Sequence, residues 1–172
     1  MLRHTGLQNT PFIYPNLTSD RANTVNIHPD FNEFVAALNK NRIDYVIVGS
    51  FALAFHGYPR ATGDIDFWIR PTPVNLKALF NALSDFGFEE LEISEDDLMS
   101  GKIIQLGYPP VRIDLITVLD GLKEEEIWKT RAKGRFADHD VFYLGRSAFI
   151  RNKRALGRHK DLADLELLGE KV

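Results

Sequence analysis

The segment Val46-Ile47-Val48-Gly49-Ser50, followed by Phe51 to His56 and then Asp64-Ile65-Asp66, constrains the chain more than any other stretch. Ile43 to Val48 is an apolar, β-branched run, which reads as a buried strand. Gly49-Ser50 ends it at once, and Phe51 to His56 reads as a short helix closed by Gly57 and Pro59. A small glycine, a hydroxyl and helix-start amides together make a plausible anion cradle. Ile65 to Ile69 is the next strand, and period-two alternation puts Asp64, Asp66 and Trp68 on one face. The two carboxylates then stand roughly 6.5 to 7 Å apart at their backbones. The bland reading is a turn bearing two solvated acids. Against it, Phe67, Trp68 and Ile69 follow immediately, and acids at the mouth of a buried strand need a cation or hydrogen-bond donors.

Asp114 interrupts a second apolar strand, Val111-Arg112-Ile113-Asp114-Leu115-Ile116. If that strand lies beside the first, three carboxylates converge. Cys is absent and the histidines show no zinc spacing, so three oxygen ligands point to Mg²⁺ or Mn²⁺. Two such ions, about 3.5 to 4 Å apart, can activate a hydroxyl and steady a leaving pyrophosphate. The structural alternative pairs Asp114 with Arg112 or Arg60.

Elsewhere the pattern alternates between element types. Phe31, Phe34, Val35 and Leu38 line one face of a helix opening at Pro29-Asp30, and Val74, Leu76, Leu79, Phe80 and Leu83 do the same after Pro73. Ser94 is placed to cap a short turn of helix. Lys102 to Leu106 and Val111 to Val118 read as an antiparallel hairpin. Leu122 to Lys129 is an acidic helix, Val141 to Leu144 a last short strand, and two helices follow Ser147. This predicts an α+β fold, a small mixed β-sheet flanked by helices. The organisation expected is an irregular N-terminal arm over 1–28, a catalytic core over 29–146 and C-terminal helices over 147–172 packed on that core.

The 172 residues suffice for one domain with a sizeable core. No apolar run approaches ~20 residues and the N-terminus lacks a signal-peptide pattern, so a cytoplasmic protein with no membrane partner is expected. The formal charge of −3 argues against a protein that coats nucleic acid. No Walker-type loop or dinucleotide fingerprint is present. Residues 151–160 nevertheless hold three Arg and two Lys, a candidate phosphate or RNA contact set against the commoner solvated surface.

Gly49-Ser50, followed after 13 residues by Asp64-Ile65-Asp66, with Asp114 placed separately, resembles the signature of the polymerase-beta-like nucleotidyltransferase superfamily. The stretches Gly49 to Leu53, His56-Gly57 and Arg60 to Asp66 look most like the small minimal and toxin-type nucleotidyltransferases of abortive-infection systems. The likeness covers residues 31–118 well and the C-terminal helices more loosely. It implies a nucleotidyltransferase-like core that transfers a nucleoside monophosphate from an NTP to an acceptor hydroxyl and releases pyrophosphate. Gly49 and Ser50 would then hold the β- and γ-phosphates, and Asp64 and Asp66 the metal ions. Asp114 would bind the catalytic metal and help deprotonate the acceptor. GRHKDLADLELL is similar to the terminal helix of toxin-like members, which adds Lys160 and Asp161 to the nucleotide site. Arg60 is divided between contact with phosphate or the acid cluster and a structural salt bridge. Acceptors consistent with the resemblance are RNA, a protein hydroxyl or a small molecule, with an antitoxin-like protein as partner. The competing readings are a non-catalytic nucleotide- or partner-binding protein of the same fold, and an RNA-binding module centred on residues 151–160.

Overall fold

A six-stranded mixed sheet, in the order β5-β6-β4-β3-β8-β7, organises the chain. The computed structural model describes residues 11–12, 25–88 and 93–171. Most of the expected N-terminal arm lies outside the described residues. Within it, β1 (Pro11–Phe12) and β2 (Val25–Asn26) pair antiparallel. Helix α1 (Pro29–Lys40) starts where His28 accepts a hydrogen bond from the Asp30 amide. It leads to β3 (Tyr45–Ile47), α2 (Gly49–Phe55), β4 (Asp64–Ile69) and α3 (Pro73–Phe86). Thr72 caps α3 by accepting from the Asn75 amide, and Gly87 closes it at φ 101°.

Ser94 and Asp97 form a reciprocal capping box at α4 (Glu95–Met99), so the expected short turn is present. The expected hairpin is β5 (Ile104–Tyr108) and β6 (Val111–Ile116), paired antiparallel. After α5 (Glu124–Thr130) comes an element absent from the sequence reading: β7 (Ala132–Phe136), which pairs with β8 (His139–Tyr143). Lys133, Gly134 and Arg135 hide its apolar signal. Gly134 is required there, since a Cβ would come within 2.7 Å of the Phe55 ring and 2.9 Å of the Tyr143 ring. Helices α6 (Arg146–Leu156) and α7 (His159–Leu167) complete the chain.

Strand alternation separates core from site. Ile65, Phe67 and Ile69 of β4 are buried on one face, where Phe67 meets Phe34 of α1 edge-on at 5.4 Å between ring centroids. Phe34 also packs against Phe86 of α3 at 5.1 Å. Burial of each such phenylalanine contributes roughly 1.5–3 kcal/mol. Asp64, Asp66 and Trp68 take the opposite face. Trp68 is fully buried there and donates through Nε1 to the Thr117 carbonyl at 3.0 Å. The central strands β4 and β6 run parallel, which brings residues far apart in sequence into direct register.

Candidate functional site

The site is built on the β4–β6 register. Asp66 stands opposite Asp114, and Asp64 opposite Arg112. Gln105 of β5 faces Asp114 from the other side. Strand β3 feeds the chain into Gly49, which has φ +59°. A Cβ at Gly49 would overlap Asp66 Oδ2 and lie 2.9 Å from its Cγ, so only glycine lets Asp66 turn under the start of α2. The Val48 amide donates to the Asp66 carbonyl at 2.9 Å, which pins the two segments together. Gly49, buried Ser50 and all three aspartates line one cavity of about 490 Å³.

The carboxylates differ in their partners. Thr62 donates its hydroxyl to Asp64 Oδ1. Arg112 donates through Nε to Asp114 Oδ1 at 2.8 Å, and through one terminal nitrogen to Asp114 Oδ2 at 3.0 Å and Asp64 Oδ2 at 2.8 Å. Among the described residues the Asp66 carboxylate receives no hydrogen bond. Burial, reinforced by the neighbouring Asp64 and Asp114 charges, pushes Asp66 up from 3.8 to about 6, against the opposing pull of Lys153 and Lys160.

Four cations share the cavity with the acids. Arg60, Lys153, Arg158 and Lys160 all line the same cavity. Lys153 is only 5% exposed, and its ammonium lies 2.8 Å from both Asp161 Oδ1 and Asp164 Oδ2. The second contact is an ion pair whose angle falls outside hydrogen-bond geometry. Arg60 reaches Asp164 at 3.2 Å, and Arg158 reaches Asp161 at 2.6 Å. Asp161 is fully buried; it accepts from the Arg158 amide at the start of α7. Burial raises the Asp161 pKa, but hydrogen bonds from Arg158 and Lys153 outweigh it and leave the group below its ordinary range.

Seven of the eight residues expected at the site, namely Gly49, Ser50, Arg60, Asp64, Asp66, Asp114 and Lys160, line the cavity. Asp161 does not. It lies beneath, holding Lys153 and Arg158, both of which do line the cavity. Arg60 lines the cavity and pairs with Asp164, so its salt-bridge alternative is present in the structure. His56 closes α2, with Nε2 2.8 Å from the Leu144 carbonyl; it does not line the cavity. The basic stretch 151–160 is divided rather than continuous. Arg151 pairs with Glu126, Arg154 with Glu170, and Lys153 faces inward. Arg112 was in view as a partner for Asp114, and the structure shows that pair; sequence reasoning missed its bridge to Asp64. Its signal was its place two residues before Asp114 on one strand, which sets both on the same face.

Hard carboxylate oxygens suit Mg²⁺ or Mn²⁺, Asp66 is the acid without a donor, and the cradle at Gly49 keeps it in the cavity. Among the described residues, however, no three His, Asp or Glu side chains are grouped closely enough to form a preassembled metal cage. The Arg112 guanidinium bridges two of the acids instead. The donor set therefore fits a divalent ion that also draws ligands from phosphate and water.

No protein-family model matches the chain, and no curated protein matches it. Among solved structures, the chain resembles a "putative nucleotidyltransferase" from Thermotoga maritima with a TM-score of 0.51. The two are 14% identical, and the match covers 82% of this chain and 91% of the other. At that identity the likeness establishes a shared fold: a small mixed sheet flanked by helices, consistent with a nucleotidyltransferase-like α+β core. Among the described residues no helix is long and apolar enough to cross a membrane.

Proposed function

We propose that this protein transfers a nucleoside monophosphate from an NTP to an acceptor hydroxyl and releases pyrophosphate. The observation that carries the reading is one cavity lined both by Asp64, Asp66 and Asp114 and by Arg60, Lys153, Arg158 and Lys160. An NTP carries negative charge at its phosphates and must meet a nucleophile that sheds a proton, so both signs of charge have work in one site. Gly49 and Ser50 would contact the β- and γ-phosphates, with Lys160 and Arg60 offsetting their charge. Asp161 acts indirectly, by fixing Lys153 and Arg158. Mg²⁺ or Mn²⁺, held by Asp64 and Asp66 with Asp114, would supply Lewis-acid charge neutralisation. The acceptor oxygen forms a bond to the α-phosphorus as the bond to the bridging oxygen of pyrophosphate breaks. Asp114 orients the acceptor and takes its proton, while Arg112 fixes the carboxylate.

The acceptor is an RNA end, a protein hydroxyl or a small molecule. The toxin-type likeness of Gly49 to Asp66 favours a cytoplasmic protein restrained by an antitoxin-like partner. The RNA-module reading is weakened because Lys153 is buried and Arg151 and Arg154 are paired. The non-catalytic reading has one observation in its favour, the Arg112 contacts that occupy two of the three acids. Incubation with Mg²⁺ or Mn²⁺, each labelled NTP and a panel of acceptors separates these readings. Covalent labelling that vanishes in Asp64→Ala/Asp66→Ala, with the fold retained by circular dichroism, supports transfer. Labelling unchanged in that double variant defeats it, and NTP binding without labelling across the panel supports the non-catalytic protein.

A further inference from the structure

Arg112 occupies a particular place among the acids. It is the register partner of Asp64 and lies two residues before Asp114, so both strands direct it to the carboxylate face. Three hydrogen bonds of 2.8 to 3.0 Å tie its guanidinium to Asp114 and Asp64. A guanidinium stays protonated at all ordinary pH, and its planar fork matches a carboxylate edge to edge. It therefore supplies a permanent unit charge, anchored to the same two strands as the acids. An ordinary structural salt bridge would not need to lie in the cavity, yet Arg112 and all three acids line it.

Resting on the metal-dependent reading above, we propose that Arg112 is a built-in cation that replaces one ion of a two-ion centre, so that the acid cluster takes a single divalent ion. Asp66, without a hydrogen-bond donor among the described residues, is the principal ligand of that ion. Each carboxylate oxygen has two lone pairs, so Asp64 can serve both the ion and Arg112. A divalent ion of the Mg²⁺ type commonly needs only one or two carboxylates, with water and phosphate completing its shell. Charge balance agrees. Three carboxylates are neutralised by one guanidinium and one divalent ion, whereas a second divalent ion would leave surplus positive charge before any phosphate arrives. The arrangement also accounts for the lack of a preassembled three-acid cage.

The test counts ions and requires no turnover. Purified full-length protein is titrated with Mn²⁺ alone, and free Mn²⁺ is measured by electron paramagnetic resonance. Wild type should bind about one Mn²⁺ per chain, and Arg112→Ala about two, with dipolar broadening from the paired ions. Arg112→Lys retains a positive charge and should remain near one. Arg112→Gln, closer in size to the native residue, replaces Arg112→Ala if the latter does not fold. Two ions in wild type overturn the proposal and leave the metal reading intact. One ion in wild type and in every variant does the same. No binding in any chain, with Mn²⁺ alone or with a non-hydrolysable NTP analogue added, removes the metal reading and the proposal with it.

Discussion

Replacing Asp66 with asparagine should make the protein more stable at neutral pH while removing the activity proposed for it. The side chain is nearly isosteric, so the change acts on charge. In the folded chain the Asp66 pKa is pushed from 3.8 to about 6, first by burial and then by Asp64 and Asp114. The folded state therefore holds this proton more tightly than the unfolded state. The stabilising contribution of the neutral carboxyl is complete below the unfolded pKa and lost as pH rises through about 6. Moving the Asp66 pKa from 3.8 to about 6 corresponds to about 3 kcal/mol as an upper bound. Allowing for relaxation and solvent access, Asp66→Asn should gain about 2 kcal/mol at pH 8 and about 0.5 kcal/mol or less near pH 4. Urea denaturation followed by circular dichroism at both pH values measures this directly. Equal stability of wild type and variant at pH 8, or a gain that persists undiminished at pH 4, would refute the reasoning. A loss of stability at pH 8 would show that Asp66 has a donor or counter-ion that compensates its charge.

The Lys153→Met variant should lose about 3 kcal/mol in urea unfolding, near the low end for breaking a buried pair, because Asp161 and Asp164 keep Arg158 and Arg60. A loss below about 1 kcal/mol would mean that the cluster is solvated; adding Asp164→Asn should recover part of the deficit. Gly49→Ala forces a Cβ into Asp66 at a left-handed backbone position, and a thermal melt should show it destabilised by about 2 kcal/mol or more. If the collision accounts for most of that, Gly49→Ala in the Asp66→Ala background should lose only the backbone part, about 1 kcal/mol.

What the sequence disclosed followed its local regularities. The apolar run ending at Gly49, the alternation through Asp64 and Asp66, and the pattern of β5 and β6 each carry a period that survives folding. Adjacency of Asp66 and Asp114 needed one further step, the parallel pairing of β4 with β6, which no local pattern specifies. Strand β7 escaped because Lys133 and Arg135 occupy its exposed positions and Gly134 its tightest one. Lys153 escaped for a different reason. Lysine in a basic run reads as surface, and only tertiary packing reveals that α6 directs it at two acids of α7. Arg112 was in view as a partner for Asp114, but its bridge to Asp64 depends on the same cross-strand register.

The two charge groups also explain why the C-terminal helices belong to the site. The sheet alone would present three carboxylates to one cavity, two of them held by Arg112 and the third without a donor. Lys153 and Lys160, contributed by α6 and α7, pull the Asp66 pKa downward against the repulsion of its neighbours. Docking of these helices thus relieves part of the electrostatic cost created by the acids. Burying Lys153 with Asp161 and Asp164 is a poor way to gain stability compared with apolar packing, since desolvation consumes most of the attraction. It does fix orientation, because the ammonium must meet one carboxylate at residue 161 and another at residue 164 of the same helix. That requirement sets the rotation of α7 against α6, and with it the direction in which Arg158 and Lys160 face. A core of leucines would hold the helices together equally well but would leave that rotation loosely specified, and the cations would no longer be held in the cavity with Asp66.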